Sequence, residues 1–236
     1  MEQDTCYMHC KGCPNCSKSI FAEVHDGDMD LLNEHKVFMH FKKGQLIFQE
    51  GGVPHGLYCV NSGKVKVYQT GDEGREQIVR FAKDADVVGY RALLSGERYL
   101  AAAAALEDTT LCFVPKEVLF QIMERNLSIY KRMTRLLTQD LKNAEHKITE
   151  LAQKPVRERV AETLLYLKET YGLEDDGQTL NVRLSREEIA NIVGTATETV
   201  IRLLSEFKKD GYIELENKRI KILNSRELVR VARIVD

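Results

Sequence analysis

Residues 116–154 contain neither glycine nor proline, and a proline stands at each end of the run, Pro115 and Pro155. Inside a helix proline costs about 3 kcal/mol and glycine about 1 kcal/mol relative to alanine, so the run predicts one long helix. Along its second half Leu137, Leu141, Ala144, Ile148 and Leu151 recur at intervals of four, three, four and three, the a/d pattern of a coiled-coil seam. Gln139, Lys142, Asn143, Glu145 and Lys147 surround the stripe and leave it too narrow for a globular core face. The pattern predicts a parallel homodimer, with the first half of the helix also packing on its own chain.

Two unlike regions flank this helix. Before Pro115, apolar segments at residues 38–41, 46–48, 57–60, 65–68 and 77–81 are divided by Lys43-Gly44, Asn61-Ser62-Gly63 and Gly71-Asp72-Glu73-Gly74. Val65 and Val67 alternate with Lys64 and Lys66. Period-two alternation with turns at roughly ten-residue intervals predicts short strands in a compact antiparallel sandwich or roll.

After Pro155, residues 156–171 read as an amphipathic helix carrying Val160, Leu164, Leu165 and Leu167, residues 172–178 as a loop and residues 180–184 as a short strand. Ser185 and Glu188 make a capping-box pattern, so a helix starts at Arg186. It passes through Ile189, Ala190, Ile192 and Val193, turns at Gly194-Thr195-Ala196 and restarts over residues 197–209. Two short helices about a glycine turn match a helix-turn-helix. Residues 211–215 and 219–222, about a turn at 216–218, then read as a two-stranded wing.

On the second of these helices Glu198 and Arg202 lie four apart, hence on one face near its start. As an exposed ion pair they contribute only a few tenths of a kcal/mol. In a major groove, Arg donates to guanine O6 and N7 while Glu accepts from cytosine N4, and the helix-turn-helix context favours that role. Thr195, Thr197, Arg186 and Lys208 are then candidates for phosphate contact, with Arg219 on the wing.

With 236 residues, 43% apolar and 30% charged, the chain can bury a core and form one large or two modest domains. Its net charge is −2, and from Arg183 onward 11 Lys/Arg stand against 9 Asp/Glu. Affinity for a polyanion must therefore come from charge placement. The first residues lack a signal-peptide layout and no apolar run approaches the roughly 20 residues that span a bilayer, so a cytoplasmic location with no membrane partner is expected.

That location bears on Cys6, Cys10, Cys13 and Cys16, spaced C-x3-C-x2-C-x2-C. Disulfides rarely persist in a reducing cytosol, so such a cluster points to metal binding or redox chemistry, and closely spaced thiolates suit zinc or an iron–sulfur cluster. Cys59 and Cys112 stand alone among apolar residues. Such cysteines are commonly small core residues, which is the reading for Cys59; Cys112 is also weighed as a ligand from outside the amino-terminal segment.

A roll, a long helix and a winged helix-turn-helix, in that order, resemble the cyclic-AMP-receptor/FNR (CRP/FNR) family of bacterial transcription regulators. The resemblance rests on Phe41-Lys42-Lys43-Gly44-Gln45-Leu46-Ile47-Phe48-Gln49-Glu50-Gly51, Leu57-Tyr58-Cys59-Val60-Asn61-Ser62-Gly63-Lys64-Val65 and Thr197-Glu198-Thr199-Val200-Ile201-Arg202-Leu203-Leu204. It implies an α+β fold: an antiparallel β-roll of the cyclic-nucleotide-binding kind, a double-stranded β-helix, over residues 21–115; a dimerisation helix over 116–154; and a winged helix-turn-helix over 155–236. Residues 1–20 form a cysteine-rich segment ahead of the roll.

Cyclic-nucleotide binders of the family use a Gly-Glu and a later Arg-Ser pair. Here Val88-Gly89-Tyr90-Arg91 and Tyr99-Leu100 followed by Ala101 to Ala105 stand in their places, with Arg98 one position off, so cyclic AMP binding is disfavoured. The FNR branch matches better. Cys6-Tyr7-Met8-His9-Cys10-Lys11-Gly12-Cys13 resembles the start of its cluster-binding segment, and Cys112 falls where that branch has its distant fourth ligand. In the branch a longer gap separates the last two amino-terminal ligands, whereas only Pro14 and Asn15 separate Cys13 from Cys16. Cys10, Cys13, Cys16 and Cys112 are the first choice of ligands, with Cys6 as the alternative to Cys16 and with His9 and His25 as bystanders.

In the reading helix, Ile201 stands where FNR-type regulators often have Ser and Thr197 where the nucleotide-sensing branch has Arg. Glu198 and Arg202 should still read a G·C pair in each half-site, and Ile201 can meet a thymine methyl. The resemblance implies a homodimer on a palindromic operator in double-stranded DNA, acting on RNA polymerase under control of an iron–sulfur cluster of the [4Fe–4S] kind. Structural zinc, or a thiol switch, on the same scaffold is the alternative. A redox enzyme or metal carrier is a third class, but no nucleotide-binding glycine loop, nucleophile elbow or paired carboxylates accompany it.

Overall fold

The computed structural model describes residues 9–234, so Cys6 lies outside the described residues. They fall into two compact units. One comprises the described part of Met1–Gln69 with Val79–Lys142, the other Thr70–Ile78 with the described part of Asn143–Asp236.

The first unit opens with two 3-10 turns, Cys10–Gly12 and Cys16–Lys18, then α1 (Asp26–His35). The strands follow as β1 (Val37–Phe41), β2 (Leu46–Phe48), β3 (Gly56–Ser62), β4 (Val65–Thr70), β5 (Glu76–Ala82) and β6 (Val87–Val88), then α2 (Tyr90–Ser95), β7 (Ala102–Ala105) and β8 (Thr109–Pro115). They make two four-stranded sheets, ordered β1-β8-β3-β6 and β2-β7-β4-β5, the antiparallel roll that the alternation predicts. Phe41, Ile47, Val60, Val65, Val67 and Leu111 fill one apolar cluster with Ala101, Ala103 and Ala105. All four alanines of β7 are buried, so this strand packs on both faces.

A second cluster joins the β1-β8-β3-β6 sheet to helices. Leu57, Tyr90, Leu32 of α1, Leu119 and Ile122 of α3 (Lys116–Arg125), and Ile129 and Met133 of α4 (Leu127–Gln153) are buried together. At about 25 cal/mol per Å² of apolar surface, each such side chain contributes roughly 1.5–3 kcal/mol. Asp140 of α4 is held from two sides, accepting from Arg80 Nη1 at 3.2 Å and from the Tyr90 hydroxyl.

The single helix expected over residues 116–154 is two helices, broken at Asn126, whose backbone is extended at φ −128°, ψ 95°. Asn126 is buried, and its amide donates to Ile122 O and to Asp28 Oδ2, each at 2.8 Å. The break comes from this long-range bond to α1, which propensity does not register.

The second unit holds α5 (Val156–Tyr171), α6 (Arg186–Val193), α7 (Thr197–Lys209), β9 (Ile213–Glu216), β10 (Arg219–Ile222) and α8 (Ser225–Ala232). The wing is shorter than expected. Its turn is only Asn217-Lys218, with Asn217 at φ 54°, a left-handed conformation that Asn tolerates. The strand expected at residues 180–184 reduces to isolated bridges, Leu173 to Leu180 and Thr179 to Lys221. Leu180, Val182 and Leu184 keep the alternate burial that suggested a strand, but the Asn181 amide turns back to Gly172 O at 3.1 Å and pairing ends there. The sequence reading did not include α8. It packs on α5, with Leu228 and Ala232 buried.

Candidate metal centre and DNA interface

The C-x2-C-x2-C spacing becomes two consecutive tight turns. The Cys13 amide donates to Cys10 O and the Cys16 amide to Cys13 O, each at 3.0 Å. Cys13, extended at φ −75°, ψ 125°, separates the 3-10 turn Cys10–Gly12 from the one that begins at Cys16, so the segment folds back on itself over seven residues. The segment is clipped at both ends. The Cys10 amide donates to Asn33 Oδ1 on α1 at 2.8 Å, and Asn15 Nδ2 donates to Asn61 O on β3 at 2.7 Å.

All three cysteines line one cavity together with Cys59 of β3 and Cys112 of β8. Phe21, Leu32, Val60 and Val114 supply an apolar wall. Lys36 Nζ donates to Cys10 Sγ at 3.0 Å, and Cys13 Sγ donates to Asn61 Oδ1 at 3.4 Å. Burial pushes the Cys16 thiol up, with the neighbouring Cys10 and Cys13 adding to the shift. Burial also pushes the Cys59 thiol well up, followed by the charges of Cys112 and Cys10. His9 and His25 do not line the cavity.

Cys59 packs against the apolar core as expected, but it also lines this cavity, which sequence reasoning missed. Its register opposite Cys112 is the fact that brings it there, and strand pairing cannot be read from apolar alternation alone.

A second cluster of potential ligands, His146, Glu150 and Glu162, brings its ligand atoms within 4.8 Å of one another. Lys147 pairs with Glu150 at 3.1 Å and Lys154 with Glu162 at 2.8 Å. These carboxylates are already neutralised, so the group is an ion-pair network.

In the second unit the capping box forms as its sequence implies. The Glu188 amide donates to Ser185 Oγ at 3.0 Å and the Ser185 amide to Glu188 Oε2 at 2.6 Å. Gly194, at φ 72°, φ-positive as a helix-ending residue requires, closes α6. On α7, Val200, Leu203, Leu204 and Phe207 are buried, and Glu198, Ile201 and Arg202 are exposed on the opposite side.

Glu198 and Arg202 do not pair with each other. Arg202 Nη1 donates to Glu206 Oε1 at 2.5 Å, and Glu206 is also held by Arg157 at 2.8 Å. Thr195 and Thr197 are half-buried at the turn. Lys208 pairs with Glu214 of β9 at 2.5 Å. Arg186 is half-buried and donates to Asn217 O in the wing turn at 3.0 Å, while Arg219 pairs with Glu174. Glu198 and Arg202 are thus exposed on the outer face of α7, with Arg202 held by Glu206, and Arg186, Lys208 and Arg219 are each engaged within the domain.

Along α4 the stripe is exposed: Leu137 37%, Leu141 60%, Ile148 67% and Leu151 40%, with Ala144 exposed as well. No helix among the described residues is long and apolar enough to cross a membrane.

A β-roll, a long helix and a winged helix-turn-helix, in that order along the chain, make a DNA-binding transcription regulator. Residues 38–126 match the model of the cyclic nucleotide-binding domain and residues 158–231 that of the Crp-like helix-turn-helix domain. The transcriptional activator protein anr of Pseudomonas aeruginosa is 31% identical over 95% of this chain and 92% of its own length. The chain belongs to the CRP/FNR family of transcription regulators. It is also similar to the fumarate and nitrate reduction regulatory protein of Vibrio cholerae, 29% identical over 96% of this chain and 91% of that protein. Among solved structures, FixK2 from Bradyrhizobium japonicum superposes with a TM-score of 0.76 at 25% identity, covering 85% of this chain and 99% of that one.

Proposed function

We propose that this regulator is a homodimer whose DNA binding is controlled by an oxygen- or redox-labile iron–sulfur cluster, [4Fe–4S] in kind, held by Cys10, Cys13, Cys16 and Cys112. One observation carries the reading: three cysteines on consecutive turns and Cys112 from β8 open on one cavity. The donor set fits such a group, since four thiolates are the usual ligands of these clusters.

When bound, the group supplies an oxidant-sensitive tie between residues 10–16 and β8. The chain's own residues carry the consequence further. Cys10, Cys16 and Cys59 pack against the same apolar cluster that buries Ile129 and Met133 of α4 and touches Leu136. A change at the cavity therefore acts on the helix that bears the exposed stripe Leu137, Leu141, Ala144, Ile148 and Leu151. The regulator then shifts between dimer arrangements, or between monomer and dimer, and so sets the spacing of two reading helices on a palindromic operator from which it acts on RNA polymerase.

The roll offers a small-molecule effector less. Phe48 stacks on Tyr99 with ring centroids 4.1 Å apart, and Arg98 is exposed and donates to Gly51 O at 2.9 Å.

Anaerobic purification followed by iron, sulfide and zinc analysis, with absorption spectra before and after air, tests the reading. Iron and sulfide in equal amounts with visible absorbance that bleaches in air are expected; zinc without sulfide would overturn it. Binding to a palindromic duplex should be stronger before air than after.

A further inference from the structure

Cys59 and Cys112 face each other directly as register partners on the antiparallel strands β3 and β8. Partners of this kind share a face of the sheet, and both side chains line the same cavity. We infer that these two cysteines form a reversible cross-strand disulfide, which removes Cys112 from the ligand set. The consequence for Cys112 rests on the ligand reading above; the disulfide itself does not.

The ladder shows how close the two backbones come. The Val60 amide donates to Asp86 O at 2.8 Å and Val60 O accepts from the Ala85 amide at 2.9 Å, so Val60 directs its backbone groups away from β8. Its neighbour Cys59 therefore directs its own towards β8, making Cys59 and Cys112 a hydrogen-bonded pair. Such pairs have Cα atoms about 5.5 Å apart, inside the roughly 4.4–6.8 Å range that disulfides occupy. Both strands are already fixed by β1 and β6 at either side, which holds the two cysteines opposite each other. Cys10, Cys13 and Cys16 sit instead on the clipped turns outside the sheet.

The cavity also holds one described cysteine more than a four-thiolate site uses. Cys59 is the surplus one, and its partner in the ladder is the proposed ligand that comes from the sheet. The oxidant is a small-molecule disulfide. The Cys112 thiolate attacks one of its sulfurs, forming a mixed disulfide and expelling a small thiolate. The Cys59 sulfur, giving up its proton, then attacks the Cys112 sulfur and expels the second small thiolate. The two protein thiols lose two electrons and two protons in all, and the small disulfide becomes two thiols. Excess thiol reverses both steps.

The test uses the full-length protein stripped of metal, oxidised with glutathione disulfide and digested with trypsin without reduction. Cys59 and Cys112 fall in separate peptides, residues 44–64 and 99–116. A cross-linked pair of these two peptides that disappears on adding thiol is expected. Cys112 linked instead to the peptides bearing Cys10, Cys13 or Cys16, or left unlinked, would overturn the proposal. Native chain whose digest shows the 59–112 link is then freed of the small disulfide and offered iron and sulfide without reductant, beside the same chain first reduced with thiol. Loss of iron uptake in the oxidised chain and its recovery once thiol has removed the link is expected; equal uptake in both would overturn the withdrawal of Cys112. Reduced Cys112→Ser separates the two readings. If it takes up as much iron as the reduced native chain while the oxidised native chain shows the 59–112 cross-link, the ligand reading fails and the disulfide stands.

Discussion

Asn126 and Asp28, ninety-eight residues apart in sequence, meet through a buried 2.8 Å hydrogen bond from Nδ2 to Oδ2. The same amide closes on Ile122 O, and Asn126 Oδ1 accepts from the His25 amide at 3.3 Å. One side chain thus ends α3 and fixes the start of α1, just beyond the cysteine turns.

Asn126→Ala removes all three bonds and leaves Asp28, which is buried, with Arg125 at 3.3 Å. A buried acceptor left short of partners costs about 1–3 kcal/mol. Denaturant unfolding should show a lower midpoint with an unchanged slope. An unchanged midpoint would mean that the break at Asn126 is not held by this bond.

The same contact marks what is legible in the chain and what is not. Local signals carry far: the capping box at Ser185, the glycine turn at Gly194 and the restart at Thr197 are all readable, because each element is specified by neighbours within four residues. The break at Asn126 is not, because its partner Asp28 lies on another helix. The same holds at the cavity. C-x2-C-x2-C specifies its own turns and Cys112 already stands out as a candidate ligand, but Cys59 joins them only through the register of β3 on β8. On α7 the exposed positions of Glu198 and Arg202 follow from helical period. The partner of Arg202 does not, since a glutamate lies four residues away on either side, Glu198 before it and Glu206 after it, and Arg157 draws Glu206 into the network.

Single substitutions rank the thiols. Cys10→Ser, Cys13→Ser, Cys16→Ser and Cys112→Ser should each lose most of the iron and sulfide found in the anaerobically purified native chain, while Cys59→Ser under reducing conditions keeps both. Iron retained in Cys16→Ser and lost in Cys6→Ser would move the ligand assignment from Cys16 to Cys6.

The α4 stripe exposes Leu141 at 60% and Ile148 at 67%, apolar surface of a kind that a partner helix covers. Leu141→Glu sets two like charges across a parallel seam. Sedimentation at micromolar concentration should find dimers for the native chain and monomers for the variant, with affinity for the palindrome falling in step. A dimer that survives both Leu141→Glu and Ile148→Glu would place the interface elsewhere.

Arg202 reaches DNA only by leaving Glu206. An exposed i,i+4 ion pair contributes a few tenths of a kcal/mol, whereas a bidentate contact with guanine discriminates by about 1–3 kcal/mol, so the exchange favours the base. Arg202→Ala should weaken operator binding by that amount and flatten the preference at one G·C position per half-site. Glu206→Gln, which spares Arg202 the competition, should leave that preference intact. Titrations against duplexes altered at each position distinguish these outcomes; a uniform loss across all sequences for Arg202→Ala would make it a phosphate contact.

Asp176 gives the winged domain a pH dependence of known sign. Its carboxylate accepts from Thr179 Oγ1 at 2.6 Å, the Thr179 amide at 2.8 Å and the Gln178 amide at 3.0 Å, which holds its pKa down to about 2. An unfolded aspartate titrates near 3.9, so the folded chain binds this proton more weakly than the unfolded one. The stabilisation is complete above about pH 4 and is lost as the pH falls towards 2. Thr179 bridges to Lys221 of β10, so the loss falls on the wing. Asp176→Asn should unfold at a lower temperature than the native chain at neutral pH, and the gap between the two should close through that acidic window. A gap that widened on acidification would show that these three hydrogen bonds do not favour the charged carboxylate.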